Sequence, residues 1–165
     1  MSFWDCRDVL LWHGTTIERA TSLMDNGPDL LRSRTNVDFG RGFYATTRKD
    51  RAIDWSWKIA KRLASQPAVL RWTVPYDEFC HWPKVAFADA GRTADEFWRF
   101  IAMNRTVRGS HRSHPDGFFD IVVGPASSDY TEREAIKELD QVSFHTEYAL
   151  SLLAMHGPTL LEVDP

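Results

Sequence analysis

Short segments with the residue preferences of β-strands recur along the whole chain, and turn-forming residues follow most of them. The candidates are residues 9–12, 43–46, 68–75, 84–90, 118–125, 141–146 and 159–163. The first of them is an apolar run, "VLLW", that ends at His13-Gly14-Thr15, which is typical of a buried strand. Helical segments do not alternate regularly with these strands. The pattern therefore favours the α+β class over a doubly wound parallel sheet.

Two segments have the apolar spacing of amphipathic helices. Residues 16–26 have Thr16 as the predicted N-cap and a stop at Gly27-Pro28. Residues 50–65 are predicted to bury one stripe and to end before Pro67; the stripe consists of Ile53, Trp57, Ala60 and Ala64. Shorter helices are expected at residues 95–103 and 147–155. The segment 127–140, "SSDYTEREAIKELD", is interpreted as a long connection with some helical character.

The bulk composition predicts one ordinary globular domain over residues 1–165. Hydrophobic residues make up 43% of the chain and charged residues 26%, and the net charge is −3. Such a charge gives no overall attraction to nucleic acid. The first residues lack a basic segment followed by a long apolar run, and nothing approaches the length of a membrane span. We predict a cytoplasmic protein without membrane partners, with secretion by a machinery that needs no cleavable signal left open.

The cysteines and two of the histidines give little support for chemistry of their own. Cys6 and Cys80 are too few and too far apart for a disulfide framework and are predicted to be reduced thiols. His111 and His114 stand close together, but the sequence has no second ligand pair at zinc spacing. The sequence therefore predicts no metal site.

The stretch "VDFGRGFYATT", residues 37–47, is the most unusual local feature. Gly40 and Gly42 flank Arg41 just before a run that favours a β-strand. Glycine in such a place marks a bulge or a point where a ligand approaches the backbone. The spacing fits neither the phosphate loop nor the dinucleotide fingerprint. His13 next to Gly14 is similarly ambiguous, because a histidine at a strand end often only satisfies hydrogen bonds.

Taken together, three segments resemble a known family. They are "LLWHGTT", "DFGRGFYATTRKDRAIDW" and "DQVSFHTE". Their order and spacing are similar to those of the ADP-ribosyltransferases of the diphtheria-toxin and poly(ADP-ribose) polymerase branch. His13-Gly14 matches the His-Gly of the family's first core strand, and Gly40-Arg41-Gly42-Phe43-Tyr44 matches its Gly-x-Gly-x-Tyr motif. Trp55, eleven residues after Tyr44, matches a second aromatic position.

A group of small bacterial proteins, described as a domain of unknown function and grouped with these transferases, is more similar still. Their motifs read approximately HGS, DFGKGFYLTT, ANR, YDIVIGPVADD and QIxFHTEKAL. This chain has "HGT", "DFGRGFYATT", "MNR", "FDIVVGPASSD" and "QVSFHTEYAL" in the same order. The resemblance thus covers nearly the whole chain.

The resemblance implies a split, mainly antiparallel sheet core with flanking helices and a cleft for NAD. It implies that His13 hydrogen-bonds a ribose hydroxyl and that the backbone of Gly14 hydrogen-bonds the nicotinamide amide. It also implies that Tyr44 and Trp55 stack on the nicotinamide ring. Stacking on a cationic ring would contribute roughly 1–2 kcal/mol in a desolvated site. The remaining cofactor positions implied are Thr15, Gly42 and Phe43. For Tyr44 and Trp55, core packing is the competing interpretation.

The catalytic position departs from the family pattern. A glutamate normally stabilises the oxocarbenium-like ribose there, whereas this chain has Gln141, which is neutral and cannot be a general base. Three interpretations stay open: catalysis helped by another acid, a slow or selective transferase, or NAD binding without turnover. The candidate acids are Glu138, Asp140 and Glu147. The similar bacterial group also has glutamine at this position, which favours an active enzyme with Gln141, His13 and Tyr44 as its catalytic residues.

The acceptor of ADP-ribose is left open by the sequence. Arginine-modifying relatives have a glutamate two residues before the catalytic position, where this chain has Leu139. A protein, a nucleic acid, a small molecule or water could accept the group, and water would make the chain an NAD glycohydrolase. Weak candidates for target or phosphate contacts are Asn104, Arg105, Asp129 and Tyr130, while Asp120 is as readily a structural residue. If the protein is a bacterial toxin or effector, analogy predicts a neutralising antitoxin or immunity protein.

Overall fold

The computed structural model describes residues 8–106, 119–161 and 163. Within them the protein belongs to the α+β class, with seven strands in two sheets and five α-helices. The chain divides into two compact units. Unit A contains the residues up to Pro28, Ala45–Trp82 and the residues from Leu150 onward; unit B contains Asp29–Tyr44 and Pro83–Ala149. The predicted single domain over 1–165 stays a prediction.

Unit A is built on an antiparallel sheet of three strands. They are β1 (Val9–Thr16), β3 (Pro67–Val74) and β7 (Thr159–Leu161), in the order β1-β3-β7. β1 and β3 pair along their whole length, from Val9 opposite Val74 to Thr16 opposite Pro67. The apolar residues of β3 are buried because this strand lies between two neighbours, and those of β1 are buried except Leu10, which is exposed. The predicted strands at 9–12, 68–75 and 159–163 are confirmed, and β1 continues four residues further than expected.

Helix α1 (Ile17–Asn26) follows β1 directly, as predicted. Thr16 stands at the N-cap with extended backbone, but its side chain makes no capping hydrogen bond. Gly27 ends the helix with φ 74° and donates its N–H to the carbonyl of Leu23. Glycine is favoured there because the left-handed region is strained for other residues.

Helix α2 (Lys49–Leu63) is confirmed as an element, and its predicted buried stripe is confirmed only in part: Ala60 is buried and Ile53 packs against the core of unit A. Trp57 is 39% exposed and Ala64 is exposed, while the buried residues are Ala52, Ser56, Ile59 and Ala60. Small residues face β1 because the helix packs closely against that strand, which periodicity alone does not reveal. Ala64, in the left-handed conformation, ends the helix three residues before Pro67.

Unit B is built on a four-stranded mixed sheet. Its strands are β2 (Phe43–Ala45), β4 (Lys84–Ala86), β5 (Ile121–Asp129) and β6 (Glu134–Phe144), in the order β2-β6-β5-β4. β4 and β5 are parallel, while β5 and β6 form an antiparallel hairpin. Helix α4 (Asp95–Thr106) contributes Phe97, Phe100 and Ile101 to a core that also includes Phe39 and Val122.

The helical character expected for residues 127–140 is wrong. Ser127 to Asp129 belong to β5, a turn follows, and Glu134 to Asp140 belong to β6. The segment is rich in good helix formers such as Glu, Ala, Lys and Leu, but pairing with β5 overrides this weak local preference. Register shifts on both sides of Ser127, and φ 53° at Glu138, mark the irregular part of the hairpin.

Three elements complete the described fold. A 3₁₀ turn at Leu30–Arg32 and helix α3 (Tyr76–His81) were not predicted from the sequence. Helix α5 (Glu147–His156) confirms the expected helix at 147–155, and the chain passes from unit B into unit A within it. None of the helices in the described ranges has the length and apolar character that crossing a membrane requires.

Candidate functional site

The loop Phe39–Tyr44 in unit B is closed by its own tyrosine. The backbone N–H of Phe39 donates to the Tyr44 hydroxyl at 3.0 Å, and that hydroxyl donates to the Gly40 carbonyl at 2.7 Å. Gly40 has φ 82°, a conformation that suits glycine. Burial, the largest cause, raises the pKa of Tyr44 well above its ordinary value of 10.0. Its ring stacks on Phe39 with centroids 6.3 Å apart. Tyr44 therefore stabilises the conformation of this loop.

His145, the first residue after β6, contacts the same loop. It is buried, and its Nδ1 lies 2.8 Å from the carbonyl oxygen of Arg41. Because a carbonyl only accepts, Nδ1 carries the proton. Nε2 lies 2.8 Å from the Ser143 hydroxyl, whose single proton has two acceptors in reach, Nε2 and the Val122 carbonyl at 3.2 Å. A Cβ on Gly42 would lie 2.8 Å from both Nδ1 and the Phe144 carbonyl oxygen, so only glycine fits there.

Asp38 is the centre of a polar network in unit B. Its side chain is only 5% exposed. Oδ1 accepts from Arg105 Nε at 2.9 Å, while Oδ2 accepts from the Ser127 backbone N–H at 2.7 Å and from Gln141 Nε2 at 2.9 Å. Arg105 Nη2 also donates to Oδ1. The network thus joins four segments distant in sequence and satisfies a carboxylate that would otherwise be costly to bury.

Gln141, at the predicted catalytic position, has a fixed side chain. A carboxylate only accepts hydrogen bonds, so the atom that faces Asp38 must be the Nε2 amide nitrogen. The amide oxygen Oε1 is therefore turned away from Asp38 and is able to accept a hydrogen bond from a ligand. Gln141 pairs with Gly124 on β5, where the missing side chain leaves space for the Phe39 ring.

Asp140, one of the candidate acids, does not lie beside Gln141. The two residues are paired with Pro125 and Gly124 in regular register, and successive strand residues point to opposite faces of a sheet. The register thus places Asp140 on the opposite face of β6 from Gln141, which argues against Asp140 as the acid that assists it. Glu138 and Glu147 are both exposed, at the bulge of β6 and at the start of α5.

Three of the four weak target residues lie together in unit B. The guanidinium carbon of Arg105 is 5.4 Å from the centre of the Tyr130 ring, in cation–π geometry. Asp129 precedes Tyr130, and hydrogen bonds from Thr131, that of its hydroxyl first, lower the pKa of Asp129. Asn104 differs, because it is fully buried and its Nδ2 donates to the Phe100 carbonyl one helical turn earlier.

His13, Gly14 and Thr15 are consecutive residues of β1 in unit A. A Cβ on Gly14 would lie 2.0 Å from the Ala52 carbonyl oxygen and 2.9 Å from the Ser56 nitrogen. The packing of α2 on β1 therefore requires glycine at this position, whether or not a ligand does. His13 is half-buried and Thr15 is fully buried.

Trp55 projects from α2 and is 51% exposed. This excludes core packing as the reason for its aromatic ring and leaves its predicted contact with nicotinamide as a prediction. A different tryptophan, Trp12, is buried in unit A against Ala52 and Val69. The cationic groups of Lys49 and Arg71 lie 5.7 and 5.9 Å from its ring centre.

A comparison with protein-family models identifies the family of this chain. The family described as "Protein of unknown function (DUF3990)" matches residues 9–138. The chain belongs to this family. The DUF3990 match includes Asp38, Arg105 and Ser127 and ends three residues before Gln141. A search of the curated proteins finds no match.

Metal chemistry finds no support in the part of this DUF3990 chain that the structure describes. No group of three or more histidine, cysteine, aspartate or glutamate side chains there is placed to hold an ion. His111, His114 and Cys6 lie outside the described residues, and Cys80 is exposed on α3.

Two central residues of the candidate site, Asp38 and His145, were missed by sequence reasoning. Both lie inside the motif segments "DFGRGFY" and "QVSFHTE", in which the glycines, the tyrosine and the glutamine have the clearer chemical roles. The sequence offered one signal for them: each stands next to a phenylalanine, in Asp38-Phe39 and Phe144-His145, and both phenylalanines are buried. Their partners are far away in sequence, so only the fold identifies them.

Proposed function

We propose that the chain is an NAD-dependent mono-ADP-ribosyltransferase. It cleaves the bond between nicotinamide and ribose and transfers ADP-ribose to a macromolecular acceptor. The proposal includes the ADP-ribosyltransferase-like fold, and two features of the chain support it: the ordered motifs given above, and the division of the strands into two sheets that are mainly antiparallel.

The hydrogen bond between Gln141 and Asp38 is the observation that carries the proposal. In the reaction, the bond between ribose C1′ and the nicotinamide nitrogen breaks, and nicotinamide leaves with the bonding electrons. An acceptor atom then forms a bond to C1′ and loses its proton. Gln141 Oε1, fixed by the Nε2 contact to Asp38, accepts from the ribose 2′-hydroxyl and holds the sugar in position.

Asp38 partly supplies the negative charge that Gln141 lacks. Asp38 is a carboxylate held by Arg105, and its hydrogen bond polarises the Gln141 amide so that more negative charge lies on Oε1. An oxocarbenium-like ribose is stabilised by negative charge at that point. The effect is weaker than that of a glutamate, so slow turnover is expected.

The remaining NAD contacts are proposals taken from the resemblance. In unit A they are His13 to a ribose hydroxyl, Gly14 and Thr15 to the amide arm, and Trp55 as a stacking face. In unit B they are Gly42, Phe43 and Tyr44 near the nicotinamide. Each can be tested by its own substitution.

The experiment uses NAD labelled in its adenine half, incubated with purified protein and a bacterial lysate. Nicotinamide release and label on protein and nucleic-acid fractions are followed for wild type, Gln141→Ala, Trp55→Ala and the control Met155→Ala, which alters an exposed side chain of α5. Label on a macromolecule that Gln141→Ala and Trp55→Ala abolish and Met155→Ala retains is the expected result.

The other outcomes separate the alternatives. Nicotinamide release without label means that water is the acceptor and the chain is an NAD glycohydrolase. Binding of NAD without release of nicotinamide means a silent NAD or ADP-ribose binding module. Absence of NAD binding by wild type contradicts all three.

A further inference from the structure

Arg41 stands out among the arginines of unit B. Arg105 is paired with Asp38 and Arg133 with Asp95, but within the described residues no carboxylate contacts the guanidinium of Arg41. Its Nε is fully buried and has no hydrogen-bond acceptor. A buried donor left without an acceptor is unfavourable, so an unpaired guanidinium at such a place calls for an explanation.

The backbone of Arg41 is fixed on both sides. Its carbonyl oxygen accepts from His145 Nδ1, Gly40 takes a left-handed conformation before it, and Gly42 after it packs against Phe144 and His145 without space for a Cβ. The Tyr44 hydroxyl closes the same loop. A side chain carried by such a rigid loop loses little backbone entropy when it binds a ligand.

The position of Arg41 relative to Gln141 suggests which ligand group it meets. Phe144, whose carbonyl borders Gly42, is three residues after Gln141 on β6, which is about 10 Å at the usual rise of a strand. In NAD the diphosphate is joined to the nicotinamide ribose through its 5′ carbon, so it lies only a few bonds from the sugar that Gln141 is proposed to hold.

From these observations we infer that Arg41 binds a phosphate group of the nucleotide, namely the diphosphate of NAD. A guanidinium offers planar paired donors that fit two phosphate oxygens. Because the Nε of Arg41 is enclosed by protein, the two Nη groups are the donors that meet the ligand. The chain has a net charge of −3, so a local cation is needed to hold such an anion. This inference rests on the proposed function for the identity of the nucleotide.

The test measures binding by calorimetry, without turnover. The ligands are ADP-ribose, ADP and inorganic diphosphate, with adenosine as the ligand that has no phosphate. The variants are Arg41→Gln and Arg41→Lys, and the control is Arg32→Gln on the 3₁₀ turn, whose side chain is 80% exposed. Thermal unfolding of each variant is recorded to exclude loss of the fold.

We expect Arg41→Gln to weaken ADP-ribose and ADP at least tenfold, Arg41→Lys to weaken them less, and Arg32→Gln to leave them unchanged. Adenosine affinity should not change in any variant. Equal affinity of wild type and a folded Arg41→Gln for ADP-ribose overturns the inference, even if NAD is cleaved. Loss of ADP-ribose binding in Arg41→Gln without any NAD cleavage by wild type supports the inference and contradicts the proposed function. If wild type binds no phosphate-containing ligand at millimolar concentration, both are wrong.

Discussion

Gln141 Nε2 donates a hydrogen bond of 2.9 Å to Asp38 Oδ2, across 103 residues of sequence. This contact fixes the orientation of the neutral Gln141 amide. It also connects β6 to the loop that carries Arg41 and Tyr44, because Asp38 immediately precedes that loop. The stability of unit B and the geometry of its candidate site therefore depend on the same carboxylate.

Asp38→Asn should destabilise the protein strongly. The substitution removes the charge that Arg105 pairs with and places an amide N–H₂ where donors already point at Asp38. Breaking a buried ion pair costs about 3–5 kcal/mol. Urea denaturation measures the loss. The matched control is Asp50→Asn, which breaks the exposed pair with Arg48 and should change stability far less than Asp38→Asn does. Similar small losses in both variants would contradict the assigned role of Asp38.

Gln141→Glu should make the free energy of unfolding fall as the pH rises, relative to wild type. The introduced carboxyl faces the Asp38 carboxylate, so its pKa is raised in the folded state. Below about pH 4 it is protonated in both folded and unfolded protein and can donate to Asp38 as the amide does. As the pH rises through the folded pKa, the variant should lose about 2 kcal/mol relative to wild type. Denaturation of both proteins at pH 4, 6 and 8 checks this; a difference that does not vary with pH contradicts it.

Tyr44→Phe should be less stable than wild type at neutral pH by about 1–3 kcal/mol. The variant leaves the Phe39 N–H and the Gly40 carbonyl without their shared partner. Burial raises the folded-state pKa of Tyr44, so the phenol is neutral in the folded protein. Its contribution is complete below the unfolded pKa of about 10 and is lost as the pH rises above that value.

The difference between wild type and Tyr44→Phe should therefore shrink above pH 10. Unfolding at pH 8, 9.5 and 10.5 measures it, and a constant difference would show that Tyr44 ionises equally in both states. Tyr148→Phe is a suitable comparison because Tyr148 is an exposed tyrosine of α5.

Gly14→Ala should destabilise unit A regardless of any ligand. The added Cβ would lie 2.0 Å from the Ala52 carbonyl oxygen, so α2 must move away from β1, at a cost of about 3 kcal/mol or more. Gly27→Ala is the matched control: it meets no atom within 4 Å, and only its positive φ opposes the substitution, by roughly 1–2 kcal/mol. Thermal unfolding distinguishes the two. If Gly14→Ala has wild-type stability but loses NAD binding, the glycine serves the ligand and not the packing.

The strands and helices with strong local signals could be predicted from the sequence. β1, β3, α1, α2 and α4 have an apolar pattern of the right period, and Gly27 marks the end of α1 because few other residues adopt its conformation. The hairpin of β5 and β6 could be predicted only in part. The expected strands at residues 118–125 and 141–146 overlap β5 and the end of β6, but residues 134–140 do not have the pattern of a strand. Its second strand contains good helix formers, and hydrogen bonds to a distant strand determine its conformation.

The candidate site, too, was predictable from the sequence in some respects and not in others. The sequence by itself determined which chemical groups are present, among them an amide at position 141, glycines on both sides of Arg41 and an aromatic ring at Tyr44. Only the tertiary structure decided that Asp38 holds Gln141 and Arg105, that Tyr44 and His145 fix the loop, and that Arg41 has no carboxylate partner within the described residues. The local sequence pattern reflects the secondary-structure preferences of residues that are neighbours along the chain. Hydrogen bonds and ion pairs between residues up to 104 positions apart form only when the whole fold brings their atoms within about 3 Å.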